Sequence, residues 1–148
     1  LRLNDAPIFQ HGPLDQGWWP DGLLTPPSDE AMVWELKWLK DAGFNMLRKH
    51  IKIEPARYYY HCDRLGIMIW QDMPSGFNLA LRAHREDAGE PVRLSTSREQ
   101  HELELRRMIN RLQHHPSIVM WVIHNEGWGQ YESASLALWV KSSLTSRA

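Results

Sequence analysis

The sequence predicts an α/β fold of parallel β-α units, and three observations carry that prediction. Short apolar runs alternate with amphipathic helical stretches along the whole chain. Gly and Pro punctuate the junctions between them. Polar and aromatic residues gather just after each apolar run, where parallel α/β folds hold their reactive groups. Four such units in series imply a parallel sheet with right-handed crossovers. Periodicity by itself does not separate a barrel from an open doubly wound sheet. No glycine-rich turn of dinucleotide-binding type follows the first strand, which counts against the open sheet.

The first strand is expected at residues 8–11, followed by a long Gly-, Pro- and Trp-rich loop over 12–27. The first helix opens on Ser28 as cap, with Asp29 and Glu30 at the positive end of its dipole, and closes at Gly43. Ala31, Trp34 and Trp38, flanked by Met32, Leu36 and Leu39, are expected to form its buried stripe. Residues 44–47 make the second strand. Pro55 suits the first turn of the second helix, and Gly66 ends it. The apolar run 67–70 reads as a strand covered on both faces. Residues 75–94 are a polar insertion, expected as a loop on that strand's C-terminal side. Thr96 and Glu99 have capping-box spacing, with Leu105, Met108, Ile109 and Leu112 following at helical intervals until Pro116. Residues 117–123 form the fourth strand, and Leu136, Ala137, Val140 and Leu144 mark the fourth helix.

Composition narrows the function classes. The 148 residues suffice for one domain with one core, at 43% hydrophobic and 24% charged. A net charge of −1 gives no pull toward nucleic acid or an acidic membrane. No apolar run approaches the roughly 18 residues of a membrane span. A single cysteine, Cys62, excludes an intrachain disulfide and leaves the redox compartment open. The chain starts at Leu1 and not at a methionine, which reads as a cut end, so the lack of a signal-like segment is uninformative. Eight tryptophans are unusual; core packing is the ordinary use of Trp, and stacking on a ligand the other.

The strand ends supply the candidate site. They carry Gln10, His11, Asp15, Trp18 and Trp19, then Arg48, Lys49 and His50. Gln71 and Asp72 follow the third strand, and His124, Asn125, Glu126 and Trp128 the fourth. Glu126 follows a wall of apolar residues, which would disfavour its charged form and raise its pKa, as a general acid near neutral pH requires. A solvated loop glutamate is the competing explanation, and position alone does not choose. Arg48 and His50 lie two apart on a strand and so leave on one face. Arg48 can bind a carboxylate or a sugar hydroxyl, or form a structural ion pair; His50 can be a hydrogen-bonded filler. Asp72 suits substrate binding or helix capping. Trp18 and Trp128 can stack on a sugar ring or pack in the core. His114 and His115 are adjacent and unsuited to joint ligation on one helix face, and no His/Asp/Glu spacing matches a metal site. No nucleophile elbow supports Ser-His-Asp chemistry.

The segment SIVMWVIHNEGWGQ, residues 117–130, resembles the fourth-strand motif of glycoside hydrolase family 2, in which an Asn-Glu pair ends the strand. GFNMLRKHIKIEPARYYYHCDRLGIMIWQDMP, residues 43–74, is similar to the second and third strands of that family, and IFQHGPLDQGWWPDG, residues 8–22, to its first-strand loop. The resemblance implies that the chain is the first half of a TIM (β/α)8 barrel, a partial glycoside hydrolase domain over residues 1–148 with strands one to four and their helices. It implies retaining hydrolysis of β-glycosides, with Glu126 as acid/base and Asn125 on the sugar 2-hydroxyl. Arg48 would support the nucleophile or the sugar, with His50, Asp72, Asp15, Trp18 and Trp128 around the substrate. No metal or organic cofactor is needed for that chemistry, although some relatives use ions. The partner is a carbohydrate, with neither nucleic acid nor membrane. The family often has a histidine where this chain has Ile51. The family's nucleophile is a glutamate on the seventh strand, for which the chain has no counterpart. A fragment of a longer product is therefore expected, inactive alone, with both sheet edges open to pairing between copies or to aggregation. A non-catalytic glycan-binding half barrel and an endo-acting cellulase- or mannanase-like enzyme are the alternatives.

Overall fold

A computed structural model of the chain describes residues 2–75, 94–126 and 129–145. Its centre is a four-stranded parallel sheet in the order β3-β4-β5-β6. These strands are Leu14–Asp15 (β3), Met46–Lys49 (β4), Met68–Asp72 (β5) and Ile118–Val122 (β6). Helices Asp29–Asp41 (α1), Ala56–Leu65 (α2), Ser95–Leu112 (α3) and Ser133–Thr145 (α4) follow the strands in turn. A short antiparallel ribbon, Arg2–Leu3 (β1) with Ala6–Pro7 (β2), precedes them. Its turn places Asn4 and Asp5 at φ 49° and 63°, the mirror-image turn geometry those residue types tolerate.

Strand order follows chain order, as expected for β-α units in series. The first strand, however, lies later than the sequence suggests, at Leu14–Asp15 and not at 8–11. The backbone from His11 onward runs beside β4 all the same. The His11, Pro13 and Asp15 carbonyls accept from the Asn45, Arg48 and His50 amides at 2.9, 3.0 and 2.8 Å. Gly12 makes that approach feasible, because a Cβ there would stand 1.7 Å from the Met46 carbonyl oxygen. Strands two to four fall within two residues of expectation, but β4 and β5 extend to Lys49 and Asp72, taking in residues assigned above to strand ends.

The helix signals fare unevenly. Ser28 caps α1 by accepting from the Ala31 amide at 3.2 Å. Pro55 occupies the cap position of α2, and Gly66 ends that helix in the left-handed conformation. The capping box expected at Thr96 and Glu99 does not form. α3 runs back to Ser95 with Leu94 at its cap, which draws both residues inside the helix. The Trp stripe of α1 is a further correction. Trp34 and Trp38 are 67% and 55% exposed, and Met32, Leu36 and Leu39 face inward instead. Residue 34 stands two positions, about 200°, from residue 32, so α1 has two apolar sides and buries the Met/Leu one.

The core lies between the sheet and the helices. Leu36, Leu39, Tyr59 and Cys62 pack there against Leu47 and Ile69, with Leu105, Ile109 and Val140 completing the layer. Burial pushes the Cys62 thiol well up, making it a packing residue and not a reactive one. Among the described residues, no helix is long and apolar enough to cross a membrane.

Candidate active site

Alternation along β4 sends Arg48 and Lys49 to opposite faces of the sheet. Arg48 is in register with Trp70 of β5 and points away from the helices. Its guanidinium grips the Asp72 carboxylate through two hydrogen bonds, both 2.9 Å, and donates a third to Asn125 Oδ1 at 2.6 Å. Three sequence-predicted residues from the ends of three consecutive strands thus meet in one network. Asp72 is fully buried and also accepts the Ile51 amide at 3.2 Å, so its charge is met from two sides. Ile51 adopts φ 46°, a conformation that strains a β-branched residue and is held here by that bond. Trp70 joins the same face, its Nε1 donating to Gln10 Oε1 at 2.6 Å.

Lys49 faces the helices and is buried. It bonds Asp15 at 2.5 Å and Glu54 at 2.8 Å, with the Tyr58 ring 4.4 Å below its ammonium. Asp15 therefore spends its carboxylate on Lys49 and on the Tyr58 hydroxyl (3.2 Å), across the sheet from Arg48. Gln71 belongs to this layer too. It accepts from Tyr59 at 2.6 Å and donates to the Lys52 and Asp72 carbonyls, bracing the turn after β4. His50 lies at the end of β4, where the Gln16 amide donates to its Nδ1 at 3.0 Å. Trp18 is exposed in the loop after β3. Trp128 and the polar insertion, apart from Ser75 and Leu94, lie outside the described residues.

Glu126 follows Asn125 directly and is exposed. The apolar wall expected to shield it is incomplete. Among the described strands β6 lies at the edge, and its residues are only partly covered, with Val119 37% exposed. His115 turns out to be structural, bonding Asp63 at 2.6 Å at the opposite end of the strands, where Ser117 also ties to Asp63. No group of three His, Cys, Asp or Glu among the described residues can hold a metal ion.

Parallel strands with a polar network at their C-terminal ends are the layout of a (β/α) barrel site. Residues 27–148 match the family model for the TIM barrel domain of glycosyl hydrolases family 2. The chain belongs to glycosyl hydrolase family 2. It is 31% identical to the β-mannosidase of Capra hircus over 98% of its own length and 16% of that protein's. To the β-galactosidase of Lactococcus lactis it is 30% identical, over 99% of this chain and 14% of that one. A β-glycosidase structure from Bacteroides vulgatus superimposes with a TM-score of 0.73 at 26% identity, over 95% of this chain and 17% of that one. The chain thus spans about a sixth of the length of the curated relatives it matches. Within this family-2 barrel segment, sequence reasoning missed Trp70 as an inward residue, although its even spacing from Asp72 signals it. It also missed the packing of His124 against α3, for which a linear sequence offers no signal.

Proposed function

We propose that residues 1–148 are the first half of the catalytic barrel of a retaining β-glycosidase, with Glu126 as its acid/base. The observation that carries this reading is the Arg48 network, which fixes Asn125 immediately before Glu126 at the rim shared by β4, β5 and β6. The glycosidase names of the relatives support the reaction class.

In the first step the protonated Glu126 carboxyl gives its hydrogen to the glycosidic oxygen. The C1–O bond breaks as a carboxylate attacks C1, leaving a glycosyl-enzyme. In the second step the Glu126 carboxylate takes a proton from water. The resulting hydroxide bonds to C1 and the nucleophile departs as a carboxylate. Asn125 commits its Oδ1 to Arg48, which turns its amide N–H groups outward to donate to the sugar 2-hydroxyl. Asp72 is held in both its oxygens by Arg48 and Ile51 and serves as a binding and orienting group, not as the nucleophile. The second carboxylate, needed about 5–5.5 Å away, is supplied elsewhere in the full-length protein, and the 148-residue chain alone is inert toward glycosides. Closure of the barrel over this rim is what buries Glu126. Trp18, exposed in the loop after β3, lines the sugar subsite.

The test is Glu126→Gln in the full-length protein, assayed on methyl and 2,4-dinitrophenyl β-mannoside, β-galactoside and β-glucuronide. Loss of general-acid assistance should lower methyl glycoside hydrolysis by about 10²–10⁴-fold. The dinitrophenyl glycoside should still form its intermediate, and added azide should restore its turnover. The non-catalytic alternative draws on the exposure of Glu126 and requires that neither substrate respond.

A further inference from the structure

The rim that bears Asn125 and Glu126 is held from the α3 side by a cluster the proposed chemistry does not use. His124 follows the end of β6 and directly precedes Asn125. Its ring stacks on that of His101 in α3, with centroids 5.2 Å apart and planes 14° from parallel. Tyr131 packs against both rings, 5.4 Å from His124 and edge-on 5.6 Å from His101. His124 Nε2 lies 3.2 Å from the Tyr131 carbonyl oxygen. A carbonyl only accepts, so Nε2 carries the hydrogen. The Tyr131 hydroxyl is itself seated, 3.1 Å from His101 Nδ1 and 3.3 Å from the Arg98 carbonyl. The Arg98 guanidinium covers the Tyr131 ring at 5.0 Å and pairs with Glu132. His101 and Tyr131 are both buried.

Resting on the assignment of Glu126 as acid/base, we propose that His124, stacked on His101 and bonded to Tyr131, is the positioning residue that aims Asn125 and Glu126 at the sugar. The paired strand β6 ends at Val122, two residues before His124. Two opposed anchors hold the turn that follows. Arg48 holds Asn125 from the barrel side, and His124 holds the same turn from the helix side. Neither fixes a direction alone, and a proton donor displaced by about 1 Å loses on the order of 10²-fold in rate.

The experiment compares two His124 variants with Glu126→Gln in the full-length protein, on the same methyl and dinitrophenyl glycosides. His124→Phe keeps the ring stack and removes the N–H; His124→Gln keeps a donor for the Tyr131 carbonyl. His124→Phe should lower kcat/KM on the methyl glycoside by about 10²-fold and leave kcat/KM on the dinitrophenyl glycoside within about threefold, with added azide restoring the turnover that the latter loses in its second step. His124→Gln should recover about a tenth or more of the lost rate. A merely structural role would reduce the folded fraction and lower both substrates equally. Equal losses, or no loss, while Glu126→Gln keeps its selective effect would overturn the positioning role alone. If Glu126→Gln shows no selective effect, the acid/base assignment falls and this inference with it. Should His124→Phe fail to fold, the leaving-group ratio of His124→Gln decides. A ratio shifted toward the dinitrophenyl substrate supports the role, and an unshifted one overturns it.

Discussion

Arg48 and Lys49 are sequence neighbours with opposite tasks, because a pleated strand sends them to opposite faces. Arg48 organises the rim; Lys49 neutralises Asp15 and Glu54 beneath the helices. That second cluster carries more acid than base around α1, and Glu35 bears the consequence. Its pKa is pushed up to about 7 from 4.5, first by burial and then by the Asp15 carboxylate, with Lys49 opposing only in part and Glu54 adding to the rise. The folded state therefore holds this proton more tightly than the unfolded chain does. The resulting stabilisation is complete below about pH 4.5 and disappears as pH rises through about 7. Discounted for partial solvent screening, the effect is about 1–2 kcal/mol. Glu35→Gln, which mimics the protonated form, should match the wild type in urea at pH 4.5 and exceed it by that amount at pH 8. Parallel pH profiles for the two proteins would show that Glu35 does not titrate in this range.

Helices and strands were legible in the sequence to the degree that their signals are local. Ser28 and Gly66 mark helix ends because a cap needs only its own few residues. The first strand was misplaced because β3 is two residues long, too short for any period, and is defined by bonds to β4 some 34 positions away. At the site, Arg48, Asp72 and Asn125 could be named from the strand-end rule. The commitment of Asp15 to Lys49 and the seating of His124 on α3 depend on which face a distant partner occupies. α1 shows the same limit, since its two apolar sides are equivalent on paper and only packing separates them. The difference is measurable. Leu36 is fully buried, so Leu36→Ala should cost about 2–5 kcal/mol in denaturant unfolding. Trp34→Gln, on the exposed side, should change stability by no more than about 0.5 kcal/mol. A large loss at Trp34 would mean that this side of α1 is covered in solution.

The sheet as a whole has two edges of unequal consequence. β3 offers only two residues at one edge, whereas β6 offers five at the other, and no further strand pairs with β6 among the described residues. β5, with neighbours on both sides, is buried except for Trp70, while β6 keeps Val119 exposed and the rest partly covered. Unpaired backbone N–H and C=O groups beside exposed apolar side chains form a template for another strand. The 148-residue chain should therefore self-associate through β6, with a sedimentation coefficient that rises with concentration. A lysine on the edge disfavours such pairing, since two copies would bring like charges together in one apolar seam. Val119→Lys should return the chain to monomer without loss of helical signal, because Val119 is already solvent-facing. In the full-length protein, where the proposed barrel gives β6 a following strand as neighbour, the same lysine should leave the oligomeric state unchanged. Association that persists in the Val119→Lys chain would place the contact elsewhere, and a wild-type chain that stays monomeric would show that the open edge is protected by other means.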